Sequence, residues 1–301
     1  MIHFNASKIL IPVDFSETSL LAIKHGAFIA KQEGARVHLL HIVNTHYSAQ
    51  NLFLPVVTMD QGEIEGKASQ KLNELADSVR AEHGIEIETS ISVGSASNEI
   101  SRYAKEKLIT LIIMGTHGYS PIEELVIGST ALKVITKSPC PVMAMSIDAT
   151  KNSYKKILIP IDNTVNSKQK VNFAIEMAKK FGASLHAVAL LSDSEASEKG
   201  AMETVMHQIE ELAKEKSVSF LSEIQLDVKN RATATVDFGN KIGADLTIIM
   251  TDQDAELSGF FLGPYSQQVI HLSKIPVIAI KPKDLFVDRT SILPGTGGYN
   301  F

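Results

Sequence analysis

The residues best placed to do chemistry lie between Leu111 and Thr130, in the run LIIMGTHGYSPIEELVIGST. Gly115 and Gly118 close an apolar, strand-like stretch, and after nine intervening residues come Gly128, Ser129 and Thr130. Glycine admits positive φ and lets a ligand approach the backbone with no Cβ in the way. A Gly-Ser-Thr that opens a helix offers free N–H groups, two hydroxyls and the positive end of the dipole, which together suit an anion. The phosphate tail of a nucleotide is the expected guest. The plainer alternative is that the glycines mark turns and Ser129 merely caps a helix. A strand before, a helix after and an acidic residue at Asp14 favour the ligand.

Those groups need a scaffold that brings distant segments together. Ile9–Val13 reads as a β-branched strand, Ser16–Gly34 as a helix ended by its glycine, and Val37–Val43 as a second strand. A helix over Gly66–His83, a strand over Ile85–Val93, a helix from about Ser97 to Lys107, and strands at Leu108–Met114 and Val142–Ser146 follow. Strands separated by helices of this length imply βαβ crossovers and a parallel sheet covered on both faces. Ligands of such sheets bind beyond the carboxyl ends of the strands, at the topological switch point. Asp14, Val43 and Gly115 all fall at such ends. Asp14 can accept a hydrogen bond from an adenine amino group or a ribose hydroxyl, or can simply cap a turn. Val43 can supply an apolar wall and backbone polar groups to a base. The loop Tyr119–Ile127 is long enough to fold over phosphates.

The chain also repeats itself. Lys8–Asp14 (KILIPVD) matches Lys156–Asp162 (KILIPID) at an offset of 148, and SPCPVMAM at Ser138–Met145 matches SKIPVIAI at Ser273–Ile280. A duplicated domain is therefore expected, with units at 1–149 and 150–284 and a tail at 285–301. The fold class is α/β. Each of the two tandem domains is a doubly wound, Rossmann-like unit whose five-stranded, mostly parallel sheet carries helices on both faces.

Composition narrows the function further. The 301 residues are 44% hydrophobic and 21% charged, with a net charge of −5, and the pI is near 6.1. No Lys/Arg block stands out, so a nucleic-acid partner is not expected. No signal peptide and no membrane-length apolar run is read, which points to the cytoplasm and away from a membrane. The single cysteine, Cys140, excludes an internal disulfide and reads as a packed thiol. No spacing suits a metal centre, and His38, His41 and His186 read as packed histidines. Gly62–Lys67 superficially resembles a P-loop, but it is one residue short and Ala68 stands where Ser or Thr is required. Residues Asn44–Gln61 read as a loop, a cap or an interaction patch.

The early PVD, the G-x-x-G followed by nine residues and G-S-T, and the SPCPV strand of the first copy resemble the universal stress protein family, and both copies align with the family's domain. The resemblance implies an ATP-binding type, with ADP or AMP as alternatives and Mg²⁺ alongside. It implies contacts around Pro12, Val13, Asp14 and Val43, and around Met114, Gly115, His117, Gly118, Gly128, Ser129 and Thr130. Tyr119 departs from the family, many members of which carry a basic residue there. It also implies pairing through the last strand, so that Val142–Ser146 and Val277–Lys281 would join edge to edge as an internal pseudo-dimer. A homodimer of whole chains and a regulatory protein partner are further expectations.

The second copy departs much further. Its glycine positions read Thr251 and Asp254, and Gly263 is followed by Pro264 and Tyr265. Asp252 and Asp254 repel phosphate and Pro264 removes an N–H donor, so weak or no triphosphate binding is expected there. The leading function is a stress-response protein that binds ATP in its first domain as a nucleotide-dependent regulator, with a mainly structural second domain. Two alternatives remain: a slow ATPase using His117 or Asp14, and a nucleotide-independent scaffold acting through the second domain and the tail.

Overall fold

The computed structural model describes residues 2–43, 61–116, 127–251 and 262–282. The first half runs β1 (Lys8–Pro12), α1 (Glu17–Glu33), β2 (Arg36–Val43), α2 (Gln61–His83), β3 (Ile87–Val93), α3 (Ala96–Glu106), β4 (Leu111–Gly115), α4 (Ser129–Lys137) and β5 (Val142–Met145). The second runs β6 (Lys156–Ile161), α5 (Val165–Lys168), α6 (Lys170–Phe181), β7 (Ser184–Leu190), α7 (Lys199–Glu215) and β8 (Phe220–Gln225). It closes with α8 (Arg231–Ile242), β9 (Leu246–Met250), α9 (Pro264–Leu272) and β10 (Val277–Ile280).

The strands form one ten-stranded sheet in the order β3-β2-β1-β4-β5-β10-β9-β6-β7-β8. Neighbours within each half are parallel, as βαβ crossovers require. Successive strand residues point to opposite faces. Ile9 and Ile11 thus join the core under α1 and α2, whereas Leu10 joins the core under α3 and α4. Helix α1 lies close on β1 because residue 26 is glycine; a Cβ there would overlap the Ile11 side chain.

The two halves meet where the last strands pair. Val142, Met143 and Ala144 of β5 run antiparallel to Ala279, Ile278 and Val277 of β10. Each strand hides the edge the other would expose. Away from the sheet, the N-terminal segment crosses to the second half. The Phe4 ring meets Phe173 edge-on at 5.2 Å, and the Phe4 N–H donates to Glu176 at 2.8 Å. Phe28 and Phe181 flank Tyr154 at 5.7 and 5.5 Å.

Several elements differ from their sequence expectations. Strand β4 starts at Leu111, since Leu108 is 73% exposed with φ of 54° and turns the chain out of α3. Strand β3 starts at Ile87 and α2 reaches back to Gln61. At the offset of 148, Glu17–Glu33 maps onto residues 165–181, the span of α5 and α6 together. What is one helix in the first half is thus interrupted at Gln169 in the second. The 44–60 segment and the 285–301 tail lie outside the described residues.

Candidate functional site

In the first half β1 is flanked by β2 on one side and β4 on the other. The strand that follows β1 in the chain, β2, lies on one side of it, and the strand that follows β4, β5, lies on the other side of the β1–β4 pair. A cleft of about 260 Å³ is lined by residues at and just past the carboxyl ends of β1 and β4. Pro12, Val13 and Asp14 enter it from β1, Met114 and Gly115 from β4, and Gly128, Ser129 and Thr130 from the start of α4. The sequence-predicted residues from three separate segments therefore meet. His117 and Gly118 lie outside the described residues, as does the loop through residue 126. Val43 does not line the cleft; its neighbour Ile42 does, and the Val43 carbonyl accepts from the Gly94 N–H at 3.0 Å.

The lining mixes apolar groups, among them Val13, Ile42, Ile100, Met114 and Ala131, with the hydroxyl residues Ser16, Thr18 and Ser19 of the α1 start and Ser129 and Thr130 of the α4 start. Reading the sequence missed the α1 hydroxyls and the α3 residues Ala96 and Ile100. The hydroxyls had a signal, because Ser16 begins a helix-capping pattern; nothing in α3 itself marks a ligand wall.

The two helix starts differ in a way that matters for an anion. The Ser16 hydroxyl caps α1 by accepting from the Ser19 N–H at 3.3 Å. Gly128 heads α4 with no side-chain cap, and residues 128–131 line the cleft, which puts the helix start and the positive end of its dipole in the cleft wall. Thr116 fixes this geometry. Its N–H donates to the Met145 carbonyl at 2.8 Å, and its own carbonyl accepts from the Gly128 N–H at 2.8 Å. That tie brings the glycine ending β4 and the glycine opening α4 to the same wall.

Asp14 is exposed, and one of its carboxylate oxygens accepts from the Ser16 N–H at 3.0 Å and from the Ser16 hydroxyl. Asp162 repeats the arrangement, accepting from the Thr164 N–H at 2.8 Å and its hydroxyl at 2.6 Å. One carboxylate oxygen thus builds the turn in both copies. Between Asp14 and Ser16, Phe15 sits at φ of 64°, a left-handed conformation costly for a bulky residue. Its counterpart Asn163 is not so held. The Phe15 ring lies 5.0 Å from that of His41 and under the Lys71 ammonium at 4.3 Å, while His41 donates to the Val13 carbonyl at 2.7 Å. Strain at a site rim in only one copy fits a functional demand on that copy.

In the second half the equivalent place is nearly filled. Pro160, Asp162, Arg231 and Tyr265 border a space of about 20 Å³. Tyr265, two residues into the α9 start, stands where the first copy has Thr130, and its hydroxyl lies 2.9 Å from that of Thr235. Burial raises its pKa above the ordinary phenol range. Arg231, the counterpart of Ala96, is paired with Glu195. Asp252 and Asp254 lie outside the described residues.

Elsewhere, burial pushes the Cys140 thiol up to about 11, which keeps it protonated and unreactive at neutral pH. Among the described residues no group of three or more His, Cys, Asp or Glu side chains could hold a metal ion. Among them, too, no helix is long and apolar enough to cross a membrane.

Comparison with known proteins agrees with this architecture. The profile of the universal stress protein family matches residues 5–146 and again 153–281. Universal stress protein YxiE from Bacillus subtilis is 32% identical over 144 residues, covering 46% of this chain and 97% of the relative. Universal stress protein Rv2005c from Mycobacterium tuberculosis is 21% identical over 286 residues, covering 91% and 96%. The crystal structure of a universal stress protein from Archaeoglobus fulgidus shares the fold, with a TM-score of 0.74 at 22% identity over 94% of this chain and 98% of that one.

Proposed function

The chain belongs to the universal stress protein family, as a member with two of its domains in tandem, and from that premise we propose that the first domain binds ATP and reports it to a partner. The observation that carries this reading is the start of α4, without a side-chain cap, in the wall of a cleft lined by both apolar and hydroxyl side chains. An adenine ring suits the apolar groups, and phosphates suit the hydroxyls and the helix start. Mg²⁺ would travel on the phosphates. Asp14 is the carboxylate lining the described cleft and has one oxygen committed to its turn, so a protein-built Mg²⁺ cage is not part of the reading.

The second domain acts as a structural partner, because Tyr265 occupies the space a ligand needs. Output would be a change in conformation or assembly, since a ligand shifts an equilibrium only through differential affinity for its two states. ADP and AMP compete for the same reading, and the cytoplasm is its setting.

The test is to denature freshly purified protein, identify released nucleotide by mass spectrometry and measure its ratio to protein, with calorimetric titration of emptied protein alongside. About one ATP site per chain supports the proposal. Two sites overturn the silence of the second domain, and no binding in either measurement overturns the whole. ADP release that scales with protein and vanishes in a His117→Ala, Asp14→Ala double variant would make the protein a slow ATPase instead.

A further inference from the structure

Lys170 is fully buried at the first position of α6. The matching residue of the first half, at the offset of 148, is Ala22. The residues around it are otherwise kept: Asp14, Ser16 and Ser19 correspond to Asp162, Thr164 and Ser167. The second half has thus placed a titratable amine beneath a turn that the first half builds without one.

The amine is tied to that turn. Lys170 Nζ lies 3.0 Å from the Ser167 carbonyl and 2.9 Å from the Ser167 hydroxyl. The same hydroxyl accepts from the Asp162 N–H at 3.1 Å, and the Ser167 N–H donates to Thr164 Oγ1 at 3.1 Å. In a continuous helix the Ser167 carbonyl would serve the amide four residues on. Here Lys170 reaches it from inside the fold, and here the helix breaks, with the Gln169 N–H bonding back only three residues to Asn166 at 3.0 Å. α1 has no break at the corresponding place.

We propose that Lys170 is a proton switch of the second domain, whose protonation state sets the break between α5 and α6 and the Asp162 turn above it. Charged, the ammonium donates to both Ser167 oxygens and balances the Asp162 carboxylate. Neutral, it offers a lone pair, so the Ser167 hydroxyl can turn and donate to it, and Asp162 loses its counter-charge. The contact holding the break is different in the two states.

The neighbouring charges leave Lys170 to respond to pH. Asp162, at the end of β6, opposes the loss of its proton, but burial outweighs it and draws the lysine down to about 7. β9 carries no ionisable side chain over Leu246–Met250. β7 contributes His186, which bonds to Ser184 at the opposite end of the strand. On α5, Lys168 is engaged with Asn163. Tyr265 and Arg231 border the small space beside Asp162 and are paired with Thr235 and Glu195. Glu176 and Lys180 of α6 pair with His3 and Glu33, further along the helix.

The experiment follows the Lys170 13Cε signal and the backbone amides of residues 162–170 by NMR in the full-length protein, from acid to alkaline pH. The lysine is assigned through its own backbone, so the result stands without any variant. A shared midpoint near 7 for Lys170 and those amides is expected. A lysine midpoint in the ordinary range of about 10.4, or amides that do not follow it, overturns the proposal. Lys170→Ala, which restores the residue of the first half, or Lys170→Met, which keeps the volume, should abolish the amide titration. Persistence of that titration in either folded variant also overturns it.

Discussion

His25 Nδ1 lies 2.6 Å from the hydroxyl of Tyr154, and this buried contact joins α1 to the segment that connects the two halves. The other ring nitrogen, Nε2, lies 2.8 Å from the Ala149 carbonyl. A carbonyl only accepts, so Nε2 carries the hydrogen, Nδ1 accepts, and Tyr154 donates. Tyr154 in turn packs its ring against Phe28 of the first half and Phe181 of the second. One neutral imidazole thus fixes the start of the connection and the aromatic contact beyond it.

Acid should therefore loosen the joint. Burial lowers the His25 pKa, with the Ala149 hydrogen bond acting the other way. His38 and His186 are lowered by burial too. The unfolded chain binds protons first, near pH 6.5. The stability held by neutral imidazoles is full above that pH and falls as pH drops from there toward the folded pKa values. Urea midpoints between neutral pH and about pH 5 should decline, and a flat profile would refute the account. Tyr154→Phe leaves the buried Nδ1 without its donor and should cost about 1–3 kcal/mol at neutral pH.

Replacing Gly128 should separate ligand binding from folding. Its φ of −55° and ψ of 139° are open to any residue, and it heads a helix with no side-chain cap. Aspartate is a favoured N-cap, so Gly128→Asp should leave stability unchanged or raise it by a few tenths of a kcal/mol. The same carboxylate would occupy the amides expected to meet phosphate and would repel it. ATP affinity should fall by about tenfold or more, read by calorimetric titration beside a thermal melt. Unchanged affinity in a folded variant would remove the α4 start from the site.

Much of that site was legible because its residues are defined by backbone requirements. Gly115, Gly128, Ser129 and Thr130 are separated in sequence by a loop, yet a strand before and a helix after leave little freedom in where they meet. The duplicated Asp14 and Asp162 turns were visible for the same reason. The Ile42 wall was harder to see. Neighbouring strand residues point to opposite faces, so a one-residue difference from Val43 exchanges the cleft for the other side of β2. Leu108 looked like strand because it is apolar, whereas its left-handed backbone ends α3. The docking of Phe4 on Phe173 and the break at Gln169 depend on contacts between distant segments, which periodicity does not record.

Tyr265 accounts for the closed second site and offers a graded test. Tyr265→Phe removes only the hydroxyl contact with Thr235, whose own hydroxyl still donates to the Arg231 carbonyl at 2.8 Å. It should cost about 1 kcal/mol and leave nucleotide stoichiometry as it is in the parent. Tyr265→Thr, which copies the first half, removes the ring and should cost about 2–4 kcal/mol through the cavity it leaves. The 20 Å³ space should then widen, and a small planar probe should bind weakly at a new site seen as chemical-shift changes in α8 and α9. If both variants behave alike, the ring is not what closes the second cleft.

The seam between the halves has a symmetry that can be trapped covalently. Met143 faces Ile278, and aligning SPCPVMAM with SKIPVIAI makes these two residues counterparts in the repeat. A residue opposite its own counterpart is what a twofold-related pair of subunits produces. Both side chains enter the core on the α1 and α6 side of the sheet. Directly opposed antiparallel residues have Cα atoms about 4.5–5.5 Å apart, within the range a disulfide spans. Met143→Cys with Ile278→Cys, in a Cys140→Ala background, should therefore close an intramolecular bond on mild oxidation. Linking positions so distant in sequence would add up to about 4 kcal/mol by restricting the unfolded chain, offset by the two lost core side chains. Mass spectrometry of the alkylated protein reports closure, and reduction should lower the melting temperature. Free thiols that persist in the folded, oxidised protein would mean that β5 and β10 are not paired in this register.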